Sequence, residues 1–192
     1  GTLETHIEKI IKKVNEGNKV LVIANHVKTA QNLYDLLIDY EPMLLHSRFN
    51  KRDRRDKEEM LISKYGVQPN LVIATQVIEV SLDIDYDVMF TEPAPIDALI
   101  QRFGRVNRKG LREPADIFLV ESQLSKNNLY NKERVSKTLE LLKTVENPIG
   151  ELDLLKITNI VYENGYNDEE MSEFNFGFEN EEIKEFDKNL IA

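Results

Sequence analysis

An α/β fold on a parallel sheet is what this sequence predicts, and three observations predict it. Continuous apolar runs of strand length, rich in valine and isoleucine, recur between segments of helical spacing. A run with no polar alternation fits a strand buried on both faces, which is the habit of parallel sheets. Strands that alternate with helices call for right-handed crossovers and helices on both sides of the sheet. A chain of 192 residues that is 41% apolar can build one such core and carry a few further helices.

The elements follow in order. Leu3, Ile7, Ile10, Ile11 and Val14 fall at three- and four-residue spacing, so 3–14 predicts an amphipathic helix that stops near Gly17-Asn18. KVLVIAN (19–25) predicts a buried strand, and Ala30, Leu33, Leu36 and Leu37 return to helical period over 28–40. MLLH (43–46) predicts a strand, 51–65 a charged helix, NLVIAT (70–75) a second buried strand and DVMFTE (87–92) a third. Pro95 opens a helix to about Phe103, ADIFLVE (115–121) supplies the last strand, and a long helix follows near 128–145. ELDLLKITNIVY (151–162) reads as a short amphipathic helix beyond Asn147-Pro148. The chain is divided there, into a domain over 1–147 and an acidic helical extension over 148–192 with Phe174, Phe176, Phe178 and Phe186 among many acids. Ligands of such sheets gather at the carboxyl ends of the strands, here Asn25, His46, Ser47, Thr75 and Glu92.

Cysteine is absent, no apolar run approaches the roughly 20 residues of a spanning helix, and the N-terminus has no signal-peptide pattern. A cytoplasmic protein with no membrane partner is expected. A start directly on an amphipathic segment suggests a piece of something longer. The net charge of -9 is unevenly spread: residues 1–149 carry 22 acidic and 22 basic side chains and cancel, while 150–192 carry 12 acidic against 3 basic ones. A neutral domain can still hold a basic strip, and local strips attract phosphate backbones.

The strongest such strip is QRFGRVNRKG (101–110), where Arg102, Arg105, Arg108, Lys109 and nearby Arg112 occur with no acid between 102 and 112. Threefold spacing puts Arg102, Arg105 and Arg108 on one side of a helix, where they repel unless an anion meets them. Phosphate suits the planar arginine fork, and a placed arginine accelerates phosphoryl transfer by about 10³ to 10⁵. A solvated basic patch is the plain alternative. A second segment, ATQVIEVSLDIDYD (74–87), leaves a buried strand with Thr75 and Asp83 eight residues apart, one able to reach a phosphate and the other a ribose hydroxyl. Asp83, Asp85 and Asp87 read equally well as turn residues or a casual metal site. His6, His26 and His46 have no ligand spacing, so no metal site is expected. Tyr34, Tyr40 and Tyr65 read as core or rim.

Together and in this order the two segments resemble motifs V and VI of superfamily 2 helicases. VLVIANHVKTAQNLYDLL (20–37) resembles motif IV, and LLHSRFNKRDRRDKE (44–58) resembles the family's nucleic-acid-contacting element between motifs IV and V. The phrases HSRF, SLDID and APIDALIQRFGRVNR are most similar to the CRISPR-associated helicase-nucleases that degrade invading DNA. The resemblance covers about residues 18–121. It implies a RecA-like parallel sheet, the C-terminal half of a P-loop NTPase helicase.

The resemblance also implies roles. Arg105 and Arg108 would be arginine fingers, Gln101 would place the γ-phosphate or the attacking water, and Asp83 would hold the ribose or link nucleotide state to strand grip. ATP contacts would thus fall on Asp83, Gln101, Arg105 and Arg108, and nucleic-acid contacts on Thr75, His46, Ser47, Lys51 and Arg54. Arg102 is expected to be structural, while Glu79 stands where many relatives have a small residue. For 51–59 the plain alternative is an exposed helix face laced by Asp53-Lys57, Arg54-Glu58 and Arg55-Glu59 at i,i+4 spacing.

No G-x-x-x-x-G-K-[ST] and no His-Asp dipeptide occurs, and Asp168-Glu169-Glu170 follows no buried strand. ATP and Mg²⁺ would therefore be bound mainly by a first RecA-like domain, and a nuclease domain would also lie elsewhere in the same protein. Alone the chain is expected not to hydrolyse ATP. Single-stranded DNA and a CRISPR surveillance complex are the implied partners. Two alternatives stay open: a superfamily 2 half acting on RNA or in repair, and a non-enzymatic nucleic-acid-binding module.

Overall fold

Every apolar run becomes a strand slightly shorter than the run itself in a computed structural model, which describes residues 1–62, 68–79, 82–120, 129–165 and 171–172. The strands are β1 (Val20–Ile23), β2 (Met43–Leu45), β3 (Leu71–Ala74), β4 (Val88–Thr91) and β5 (Asp116–Leu119). The helices are α1 (Ile7–Asn15), α2 (Val27–Leu36), α3 (Lys51–Ile62), α4 (Ile96–Phe103), α5 (Lys132–Leu142) and α6 (Glu151–Val161). A 3₁₀ turn over Leu3–His6 precedes α1 and another over Ile38–Tyr40 follows α2. Each sits where the helical spacing predicts. Tyr65, Ser81, Glu121, the Asp168-Glu169-Glu170 run and Phe174, Phe176, Phe178 and Phe186 lie outside the described residues.

The strands form one sheet in the order β2-β3-β1-β4-β5, and every pairing is parallel. Valine and isoleucine favour strands through their stiff, branched side chains, and β1, β3 and β4 are buried at every position. Alternate residues divide between two cores. Val20, Val22, Leu71, Ile73, Val88 and Phe90 face one side, where they meet Leu3, Ile10, Ala30 and Leu33 from the N-terminal turn, α1 and α2. Leu21, Ile23, Val72, Ala74 and Met89 face the other, where they meet Leu61 of α3 with Ile78, Ile84, Tyr86 and Val106 from the two motif-bearing loops. The motif loops are thus part of the second core.

Past the sheet, α4, α5 and α6 pack together. Ile96 of α4 is buried against Ile157 and Val161 of α6, with Leu141 and Leu142 of α5 beside them. Tyr162 donates its hydroxyl hydrogen to Asp97 Oδ1 at 2.5 Å, and the Arg134 guanidinium lies 4.4 Å from the Tyr162 ring centre. No helix among the described residues is long and apolar enough to cross a membrane.

Candidate nucleotide and strand interface

The strands end level with one another. Ile23 pairs with Ala74 and Thr91, Ala74 with Leu45, and Thr91 with Leu119. The ladder runs one step further through Thr75 N to Leu45 O (3.1 Å), Glu92 N to Ile23 O (3.0 Å) and Ala24 N to Ala74 O (2.9 Å). Asn25, His46, Thr75 and Glu92 therefore share the carboxyl edge, the place where parallel sheets build sites. The 3₁₀ turn Gln76–Ile78 leaves β3 there, and Gln76 Nε2 donates to Asn25 O at 2.9 Å.

Arg102, at the end of α4, is wholly buried and organises that edge. Its Nε donates to Glu79 Oε1 (2.8 Å), Nη1 to Thr91 Oγ1 (2.8 Å) and Glu92 O (2.9 Å), and Nη2 to Asn25 Oδ1 (3.0 Å) and Tyr130 Oη (3.1 Å). A guanidinium has five N–H donors, and all five are used within the protein. Arg102 has nothing left for a ligand, as a structural role requires. Asn25 and Glu92 complete the knot: Asn25 Nδ2 donates to Pro93 O and Asn25 N to Glu92 Oε2. Burial pushes the Glu92 carboxyl up.

The three arginines do not share a helix face. Helix α4 ends at Phe103, and Asn107 adopts a left-handed φ of 44° that turns the chain. Arg102 points inward, Arg105 lies on the motif V loop and Arg108 stands outside. Arg105 donates through Nε to Ile78 O (3.0 Å) and through Nη2 to Glu79 O (2.5 Å), and is only 8% exposed. It is covered more than a freely projecting finger would be, yet two bonds out of five donors leave three N–H groups without a partner among the described residues. Arg108, half-exposed, sets its Nε 3.1 Å from Asp83 Oδ1 and its backbone N–H on Asp85 Oδ1.

The anion that meets the basic strip is thus the protein's own aspartate row. Arg112 pairs with Asp85 (2.5 Å) and with Asp87, and Asp87 also accepts from Lys19 N. A parallel bridge between Tyr86 and Val106, with Tyr86 N on Arg105 O and Asn107 N on Tyr86 O, stitches the two loops together. These carboxylates lie more than twenty positions upstream, beyond what a spacing of three can register. Asn25, Glu79, Glu92 and Tyr130 are equally out of its reach as partners of Arg102; the position of Asn25 and Glu92 at two strand ends was the available signal.

The strand-path candidates share the edge but differ in availability. Thr75 is 2% exposed, and its hydroxyl has no side-chain partner among the described residues. His46 is buried, stacks on Phe49 with ring centres 4.3 Å apart, and accepts from Arg48 N through Nδ1 (3.3 Å). Ser47 and Lys51 are exposed. Arg54 is tied to Glu58 at 2.7 Å and Arg55 to Glu59 at 3.3 Å, so the lacing of α3 is real at those two pairs, while Asp53 instead accepts from Asn50 Nδ2 at the helix start. Burial pulls the His46 imidazole below its ordinary 6.5, so at neutral pH it offers a ring and not a charge. The folded state resists a proton that the unfolded chain takes up near 6.5, so this contribution to stability holds above that pH and is lost as pH falls through the depressed folded value. Urea midpoints measured from about pH 7 down to about pH 5 should decline, and His46→Gln should flatten the decline.

Gln101 is exposed one turn before Arg105, and with Arg105, Arg108 and the exposed carboxylate of Asp83 it offers donors for phosphate and an acceptor for a hydroxyl, a set that fits a nucleotide. Magnesium does not fit equally well. Among the described residues no three His, Cys, Asp or Glu groups gather as a metal site, and Asp83, Asp85 and Asp87 are engaged by arginines.

Residues 16–111 match the family model described as CRISPR-associated nuclease/helicase Cas3, C-terminal. A Methanocaldococcus jannaschii protein named as a CRISPR-associated nuclease/helicase Cas3 is 36% identical over an alignment 168 residues long that covers 83% of this chain and 23% of that protein. The crystal structure of T. fusca Cas3 with ATP superposes over 94% of this chain and 24% of its own, with a TM-score of 0.67 and 26% identity. A chain in the structure of a CRISPR RNA-guided surveillance complex in its pre-nicking state superposes over 92% of this chain and 25% of its own, with a TM-score of 0.67 and 25% identity. The sheet and helices are those of the RecA-like helicase fold in these structures. This chain spans about a quarter of the length of the proteins it matches.

Proposed function

The chain belongs to the CRISPR-associated nuclease/helicase Cas3 family, in its C-terminal part, and from that premise we propose that it is the second RecA-like half of an ATP-driven DNA helicase. The observation that carries the reading is the joining of motifs V and VI at the carboxyl edge: Arg105 rests on the carbonyls of Ile78 and Glu79, and Arg108 pairs with exposed Asp83.

ATP lies in the cleft between this domain and a first RecA-like domain of the same protein, which also supplies most of the magnesium site. When bound, ATP contributes the free energy of phosphoanhydride hydrolysis. Closure of the two domains carries Arg105 and Arg108 to the γ-phosphate, where two guanidinium groups offset growing negative charge, and Gln101 orients the phosphate or the attacking water. Asp83 then accepts from the ribose or passes the loss of Arg108 to the loop that begins at Thr75. Thr75, His46, Ser47, Lys51 and Arg54 line the path of the strand, Thr75 through its hydroxyl and His46 through its ring. Contacts to the backbone make that tracking independent of sequence. Alone, this half does not hydrolyse ATP.

The division at residue 147 belongs to the same proposal, with the extension braced by α6 on α4. So do a cytoplasmic site, a nuclease domain elsewhere in the protein and recruitment by a CRISPR surveillance complex, which the fold shared with a chain of such a complex supports. ATP turnover of the full-length protein, measured with single-stranded DNA and with RNA of equal length, tests the substrate. DNA should stimulate strongly and RNA weakly; the reverse order would move the chain to an RNA-directed branch.

A further inference from the structure

Glu79 lies between the two buried arginines and serves both. Its carboxylate, 11% exposed, accepts from Arg102 Nε at 2.8 Å, and its backbone carbonyl accepts from Arg105 Nη2 at 2.5 Å. Arg102 is fixed in turn by the ends of β1 and β4, through Asn25, Thr91 and Glu92, and by Tyr130. The peptide carbonyls of Ile78 and Glu79 are all that the Arg105 side chain touches by hydrogen bond among the described residues. The 3₁₀ turn Gln76–Ile78 ends just before Glu79, whose N–H donates to Gln76 O at 3.0 Å. Buried Ile78 and the bond from Gln76 Nε2 to Asn25 O anchor this turn, and the Glu79 carboxylate is the side-chain tie that joins its end to buried Arg102.

We propose that Glu79 is a positioning residue for Arg105: held by buried Arg102, it fixes the two carbonyls that aim the Arg105 guanidinium. This rests on the reading of Arg105 as the residue that meets the γ-phosphate. Glu79 itself touches neither nucleotide nor strand. Its effect is on the orientation of a neighbour, and a fork displaced by about 1 Å loses on the order of 10²-fold in rate.

The test uses the full-length protein, reading DNA-stimulated ATP turnover and melting temperature for five variants, Arg105→Ala among them. Glu79→Ala should lower kcat by about 10- to 100-fold with KM for ATP little changed. Glu79→Gln keeps an oxygen acceptor for Arg102 Nε and should restore most of that kcat. Thr91→Val removes a different bond of Arg102, on β4 and away from the loop; it should lower melting temperature and leave kcat alone. In the double variant Glu79→Ala with Arg105→Ala, kcat should fall no further than in Arg105→Ala alone, because both act through one group. Additive losses in the double variant, or equal kcat losses in Glu79→Ala and Thr91→Val, would overturn the assignment. Full turnover in Arg105→Ala would instead remove the finger reading itself, and the role of Glu79 with it. A strong Arg105→Ala effect beside an unaffected Glu79→Ala would remove only the latter.

Discussion

Arg105→Ala in the full-length protein is expected to cut DNA-stimulated ATP turnover by about 10³ to 10⁵, while the affinity for single-stranded DNA changes little. At about 1.36 kcal/mol per decade that is roughly 4 to 7 kcal/mol of transition-state stabilisation. A surface ion pair contributes about 0 to 1 kcal/mol, so a merely solvated patch could not produce the loss. The substitution also leaves the Ile78 and Glu79 carbonyls without a donor, at a cost to stability of about 1 to 3 kcal/mol, so melting curves belong beside the kinetics. Arg105→Lys separates the two effects. Lysine keeps the charge but lacks the planar fork that can hold two carbonyls and still face a phosphate, so turnover should stay low. If Arg105→Ala hydrolyses ATP normally but no longer binds DNA, the chain is a binding module and not half of a motor.

The second large effect is on folding. Arg102→Met should destabilise the chain by about 3 to 5 kcal/mol, because the largely covered Glu79 carboxylate loses its cation and buried Asn25 and Thr91, with Tyr130, lose a partner. With a urea slope of about 2 kcal/mol per molar, the unfolding midpoint would drop by roughly 2 M. Methionine fills much of the same volume, so the loss reports charge and hydrogen bonding more than a cavity. A fall below about 1 kcal/mol would mean that water already reaches the network. The contrast with Arg105 is diagnostic: one arginine should show its effect in denaturation and the other in turnover.

Most of the architecture could be read before any coordinates, for a physical reason. In a parallel sheet covered on both faces each central strand must be apolar throughout, so VLVI, LVIA and VMFT announce themselves without neighbours. The strand ends were overrun by a residue or more, because Asn25 and His46 follow apolar runs directly but turn out of the ladder to make side-chain contacts. Arginine geometry was less legible. Spacing of three is helical only while the helix lasts, and α4 stops at Phe103, which sends Arg102, Arg105 and Arg108 three separate ways. The partners that decide what each one does are Asn25, Glu79, Asp83 and Tyr130, and periodicity carries no information about contacts across 77, 23, 25 or 28 positions.

The aspartate row beside the arginines has a consequence for how anything negative could arrive. Polyelectrolyte binding normally proceeds by shedding mobile salt ions from a bare cation's partner. Here Asp83 already plays the counter-ion to Arg108, tethered and in place. An incoming phosphate would therefore displace a resident anion, and the free energy released is the difference between two pairings, smaller than that of the new pairing alone. Such self-screening favours rapid reversal: a visitor leaves as readily as it came, because its replacement never drifts away.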